Sequence, residues 1–259
     1  PDCDLLNDLV TTLVGWNSIC NYPGRVIMKE SILKKEIIYV GDPMCSWCWG
    51  FAPVLQQIEH EYNNDAPLRL VVGGLHAFDT DPMSEKYKAT IKHHWEQVSE
   101  ATGQPFDYAF FERKGFVLNT EPACRASVVV RSMKPDSLLS FYERIHKGFY
   151  LENQDTTIIE TFLDYAAKEG IDAEAFTELF ESEAIKQETM DDFSWCQRVG
   201  VTGFPTVVLR EDETMAALTV GYQPWSAIKP VLDAWISGDL SVKKQVQAAQ
   251  QSGASQQIH

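Results

Sequence analysis

Glu36-Ile-Ile-Tyr-Val40 is a short apolar, β-branched run that stops at Gly41-Asp42-Pro43, the pattern of a strand buried on both faces. From Cys45 to about Tyr62 the apolar residues Phe51, Val54, Leu55 and Ile58 recur at helical spacing. A polar loop, Asn63 to Pro67, follows. Leu68-Arg-Leu-Val-Val72 is a second buried strand, closed by Gly73-Gly74. Strand, helix and strand in such close succession imply a right-handed βαβ unit with parallel strands.

The middle of the chain has helical periodicity. Helices are predicted over Ser84–Thr102, Glu121–Met133 and Ser137–Tyr150. Thr157 and Glu160 form a capping-box pair before Phe162 and Tyr165, and Gly170 ends that helix. Asp172 caps a helix running through Phe180, and Ser182 another that ends near Gly200. The pattern then returns to strands, Thr206–Leu209 and Ala216–Val220, and closes with an amphipathic helix from Pro224 to Ile236. The order is βαβ, a helical block, then ββα, an α/β fold in which both β pieces share one four-stranded sheet. The predicted partition is an N-terminal extension (1–35), the first part of the sheet domain (36–75), a helical insertion (76–190), the second part (191–240) and a tail (241–259).

Composition narrows the function. The net charge of −15 argues against a nucleic-acid partner. Much of the acid falls between Glu152 and Asp192. It reads as solvated helix faces, with an acidic surface for basic clients as the sharper alternative. No run approaches the roughly eighteen apolar residues of a membrane helix, so no membrane is expected. The leading apolar stretch carries Asp2 and Asp4 where a signal peptide has basic residues, and a cytoplasmic location is the expectation. Of the six cysteines, only Cys45 and Cys48 have motif spacing. Nothing in the sequence pairs Cys3 with Cys20.

The chemistry centres on Asp42-Pro43-Met44-Cys45-Ser46-Trp47-Cys48, directly after a strand and opening a helix. A helix start exposes backbone N–H groups and the positive end of the dipole, which favours a thiolate. The dipole supplies about 0.3–2 kcal/mol, so a large shift needs direct N–H···S bonds, here from Trp47 and Cys48. Cys45 is expected to be the exposed nucleophile and Cys48 the buried resolving thiol. A zinc site is disfavoured because Cys124 and Cys196 are isolated and the adjacent His93 and His94 diverge on a helix. Two purely structural cysteines are the remaining alternative. In a redox fold of this kind Phe204-Pro205 is expected to be cis, turning the Phe204 backbone toward Cys45 to pair with a client strand. The alternative is a trans strand-entry proline.

The stretch Tyr39-Val-Gly-Asp-Pro-Met-Cys-Ser-Trp-Cys-Trp-Gly-Phe51 resembles the DsbA family, specifically its FrnE-like branch of predicted protein-disulfide isomerases. Gly73-Gly74-Leu75, Asn119-Thr-Glu-Pro-Ala-Cys-Arg-Ala126 and Gly200-Val-Thr-Gly-Phe-Pro205 resemble it in content and order, so the likeness covers residues 36–236. The resemblance implies a thioredoxin fold with an inserted helical domain. It assigns the nucleophile to Cys45, the resolving thiol to Cys48 and the cis-proline to Pro205. Ser46 and Trp47 depart from the Pro-His of the strongly oxidising members and remove the imidazolium beside Cys45.

Ser46, Trp47 and Phe204 are the expected client-binding residues. Asp42 stands as a proton acceptor for Cys48 or as a helix cap, the cap being favoured. Trp49 is expected to pack inward, Glu121 and Arg125 to form a surface pair, and Cys124 and Cys196 to act as small buried hydrophobes. The implied activity is thiol–disulfide exchange with protein or small thiol clients through mixed disulfides. No metal and no cofactor beyond the cysteine pair is expected, with glutathione open as a co-substrate and the oligomeric state left open. Two rivals are a glutathione-dependent isomerase or transferase of the kappa type, which typically has Ser at the first cysteine, and a non-catalytic chaperone or binding module.

Overall fold

The structure, a computed structural model, describes residues 35–246. Cys3, Cys20 and the predicted N-terminal extension before Lys35 lie outside the described residues. The elements in chain order are β1 (Lys35–Gly41), α1 (Ser46–Tyr62), β2 (Leu68–Val72), α2 (Glu85–Thr102), a 3-10 turn (Tyr108–Glu112), α3 (Glu121–Met133), a second 3-10 turn (Pro135–Ser137), α4 (Leu138–Leu151), α5 (Ile159–Lys168), α6 (Ala173–Glu181), α7 (Glu183–Arg198), β3 (Thr206–Glu211), β4 (Thr214–Val220) and α8 (Trp225–Ser237).

By compactness the chain falls into two units. Among the described residues, one comprises 35–40, Pro53–Val71 and 197–246; the other comprises Gly41–Ala52 and Val72–Cys196. The cysteine segment therefore groups with the helices.

The first unit is built on a sheet of order β2-β1-β3-β4. Ile37 N–H donates to Pro67 and Gly73 N–H to Gly41, so β1 and β2 advance in the same sense. β1 and β3 are antiparallel, with Ile38 opposite Val208 and Val40 opposite Thr206. β3 and β4 form an antiparallel hairpin with an irregularity at Val207/Val208. Ile37 to Val40 are all buried, as a strand covered on both faces requires. Leu232 and Trp235 of α8 are buried in the same unit.

The second unit is helical and its core is aromatic. Trp95 of α2 sits among Phe106, Phe110, Phe111 and Tyr150, with ring centroids 4.7–5.2 Å away. Such edge and offset ring pairs add roughly 0.5–1.5 kcal/mol each beyond area burial. Ser84 caps α2 by accepting from Tyr87 N–H, and Asp172 caps α6 by accepting from Ala175 N–H.

The predicted capping box at Thr157 and Glu160 does not form. Asp155 lies close enough to take both the Thr157 N–H and its hydroxyl, so α5 starts at Ile159 without a side-chain cap. The acid between Glu152 and Asp192 is not all solvated either. Asp192 is buried, accepting from Val72 N–H at 3.0 Å and from Arg131 at 2.7 Å.

Candidate active site

Trp49 N–H donates to the Cys45 carbonyl at 3.0 Å. That is the first helical bond of α1, so Cys45 holds the N-cap position. The leading N–H groups of a helix find no carbonyl in a preceding turn, and an N-cap side chain is the group they face. Ser46, Trp47 and Cys48 are the first three residues of α1. A sulfur at this point gains from the dipole and the amides only as a thiolate.

The expectation of an exposed Cys45 is corrected: it is 6% exposed, and Cys48 is fully buried. Met44 and Trp49, on either side, are anchored in the apolar core of the helical unit, which draws the Cys45 side chain inward. Ser46 and Trp47 are the half-buried members of the motif that reach the surface.

Trp49 packs inward, as expected. Its indole N–H donates to Pro105 O at 3.0 Å and its ring stacks on Tyr150 at 6.3 Å and 10°. Its carbonyl has a special need. Pro53, one turn later in α1, has no N–H to give it. The Gln104 side-chain amide donates to that carbonyl instead, at 3.0 Å.

Asp42 is completely buried. Its Oδ1 accepts from Met44 N–H at 2.8 Å, and its Oδ2 from Leu75 N–H at 2.7 Å. Cys124 Sγ donates to Oδ2 at 3.6 Å, and the Thr120 hydroxyl also bonds the carboxylate. Burial pushes the carboxyl above its ordinary value, and these hydrogen bonds oppose the shift. The favoured capping role is thus corrected. The N-cap is Cys45, and Asp42 closes a turn ahead of the helix, its Oδ1 accepting from Met44 N–H, two residues on.

Two side chains that the sequence did not single out complete this unit's part of the site. His146 of α4 is buried beside Trp49, with centroids 6.0 Å apart. Burial lowers its pKa to about 3, the Asp42 carbonyl acting in the opposite sense, so the ring is neutral near pH 7. Tyr150, one turn on, is pushed well above its usual range by burial first and then by Cys45, Asp42 and Cys48. It is a neutral phenol among the reacting groups. An i, i+4 His/Tyr pair on a helix carries no motif of its own, and only its placement against Trp49 distinguishes it.

Cys124 is buried as expected, but it is not simply a small hydrophobe. Burial and the adjacent Asp42 push its thiol well up. Cys196 Sγ lies 3.8 Å from Val72 O. Glu121 and Arg125 pair at 3.0 Å and are mostly buried, not surface residues. The Arg125 guanidinium packs over Phe180, which covers the pair. Among the described residues no three His, Cys, Asp or Glu side chains form a metal-holding group. In the sheet unit, the Phe204–Pro205 peptide bond is cis; Pro205 is buried at the entry to β3, and Phe204 is half-buried.

A helix that begins on one cysteine, follows a buried strand and carries a second cysteine in its first turn defines, with this sheet, a thioredoxin-fold thiol–disulfide oxidoreductase domain. The chain belongs to the DSBA-like thioredoxin domain family, which matches residues 36–233. It is 35% identical to a candidate protein disulfide isomerase from Nitrosomonas europaea, with a TM-score of 0.75 over 79% of this chain and 98% of that one. The fold is also that of the cytosolic disulfide reductase DsbM from Pseudomonas aeruginosa, at 23% identity and a TM-score of 0.66, covering 78% of this chain and 98% of that one. A further relative is the ClpXP adapter protein SpxH of Halalkalibacterium halodurans, 23% identical over 206 residues. The match covers 76% of this chain and spans 66% of that protein.

Proposed function

We propose that the protein exchanges disulfides with polypeptide or small-thiol clients through Cys45 and Cys48. The Cys45 thiolate attacks a client disulfide, forming an S–S bond to one client sulfur and releasing the other as a thiolate. Cys48, once deprotonated, attacks the Cys45 sulfur and releases the client thiol. The cysteine pair has then lost two electrons and the client disulfide has gained them. The reverse sequence oxidises a client. The observation that carries this reading is Cys45 at the N-cap of α1 with Cys48 in the same helical turn. The likeness to the Nitrosomonas protein supports it.

Glutathione is the small thiol that suits recycling of the pair; DsbM, which shares the fold, has been solved with GSH. Retention of both cysteines speaks against the kappa-type transferase reading. A non-catalytic binding role is the second reading, favoured by the relationship to an adapter protein. Insulin reduction by the wild type and by Cys45→Ser separates the two. Loss of turnover by roughly a hundredfold or more is expected of the enzyme, and accumulation of a mixed disulfide is expected of Cys48→Ser. Turnover that persists in Cys45→Ser removes the proposal.

A further inference from the structure

Between β2 and α2 the chain passes through two consecutive turns, in which Ala77 N–H donates to Gly74 O and Asp79 N–H to His76 O. These turns carry Leu75, 44% exposed, and Phe78, 56% exposed. Single exposed apolar residues are ordinary. Here the two lie three residues apart, and Phe78 has φ = +68°, a region that a bulky residue rarely adopts.

Several fixtures hold this conformation. Phe78 N–H donates to Asn119 Oδ1 at 2.8 Å. His76 N–H donates to Thr120 Oγ1 at 3.2 Å, and Thr120 N–H returns to His76 O at 3.3 Å. The His76 ring lies between Asp79 at 3.1 Å and the Tyr87 hydroxyl at 2.9 Å. The Phe78 ring touches Phe193 edge-on at 6.5 Å. Met190, exposed and three residues before Phe193 on α7, shares that side of the helix. A strained residue whose ring adds little to the core, yet is fixed outward from several sides, points to a use outside the fold.

Two features identify what the surface would take. Its first residue is tied to the reactive segment, since Leu75 N–H donates to Asp42, three residues before Cys45. Its surroundings are acidic. Asp79, Asp81 and Glu85 are exposed along the stretch and Asp191 beside Met190; Lys86 is an exposed cation on the same stretch, and Lys186, one turn before Met190, is paired with Glu183 at 3.0 Å. The Lys88 ammonium is held against Glu85 and Arg113 O.

We infer that Leu75, Phe78 and Met190 form a docking surface for an extended polypeptide client that carries an apolar side chain flanked by basic ones near its disulfide. This rests on the exchange reading of Cys45 and Cys48 and adds the client's chemistry. Apolar contact would anchor the segment and the carboxylates would select its charge.

The test uses the full chain and three disulfides: a small one (hydroxyethyl disulfide), a peptide with Leu and Lys beside the disulfide, and the same peptide with Glu for Lys. The variant is Phe78→Gly, because glycine adopts this φ without strain. The ratio of peptide to small-disulfide kcat/KM should fall about tenfold, through KM, with no drop in Tm. The wild type should prefer the Lys peptide several-fold at low salt, and the preference should shrink as salt rises. An unchanged ratio, equal loss on both substrates, or no charge preference overturns the inference. A wild type inert on every disulfide overturns the exchange reading itself. Leu75→Ser, whose backbone bond to Asp42 is unaffected, gives a second variant with the same expected shift in ratio.

Discussion

Asp42 Oδ2 accepts the backbone N–H of Leu75 at 2.7 Å, so one buried carboxylate ties the turn before Cys45 to the turns that present Phe78. Burial raises this carboxyl above its ordinary value. The folded state therefore holds the proton more tightly than the unfolded chain. The stability this contributes is complete below the unfolded value of 3.8 and is lost as pH rises through the higher folded value. Asp42→Asn keeps the shape but cannot titrate. The stability difference between wild type and Asp42→Asn should move against the wild type as pH rises from about 4. Melting temperatures of both proteins across pH 3.5–7 check this, and a difference that is constant or moves the other way contradicts it.

Thiol reactivity should rank the cysteines by environment, not by exposure alone. Cys45, Cys124 and Cys196 are all buried. Only Cys45 sits at a helix start, whereas the Cys124 thiol is pushed well up by burial and by Asp42. In the folded, reduced protein near neutral pH, iodoacetamide should label Cys45 at least about a hundredfold faster than Cys124. Peptide mapping after timed quenching gives the rates. Comparable labelling of the two would mean that the helix start does not activate Cys45.

Pro53 and Gln104 should be energetically coupled although 51 residues apart, 104 less 53. Proline leaves the Trp49 carbonyl without its helical donor, and the Gln104 amide fills the vacancy. Gln104→Ala should cost about 1–2 kcal/mol, because it strands a part-buried acceptor. In a Pro53→Ala background the helix supplies its own N–H, and the same change should cost about 1 kcal/mol less. Urea denaturation of the four proteins gives the coupling; a value of zero would show that the Gln104 bond carries no such role.

The elements legible in advance were those with a local cause. Ile37 to Val40, the Asp172 cap and the cysteine pair at a helix start all follow from neighbouring residues. What the sequence hid depends on distant pairing. Asp192 reads as one more acid in an acidic run, and only Arg131 and Val72 N–H, brought to it by the fold, make it a buried group. Asp42 reads as a helix cap until Leu75, Thr120 and Cys124 arrive from elsewhere in the chain. His146 and Tyr150 have the same history. Cys45 looked exposed because a motif shows its order and not the anchoring of Met44 and Trp49 beside it.

Gly74 should be irreplaceable for two separable reasons. Its φ of +67° is a conformation that costs an L-residue roughly 1–2 kcal/mol. A Cβ there would also stand 2.7 Å from the Phe193 ring, closer than van der Waals contact permits. Moving that buried ring costs about another 1–3 kcal/mol. Gly74→Ala should thus destabilise by about 2–5 kcal/mol. Phe193→Ala removes the clash but leaves the dihedral, so in that background Gly74→Ala should cost only about 1–2 kcal/mol. Denaturant midpoints at constant m-value measure both costs. If they are equal, the ring yields freely and only the dihedral matters. If both vanish, the turn that presents Leu75 and Phe78 can relax, and the fixed geometry on which the docking surface depends is lost with it.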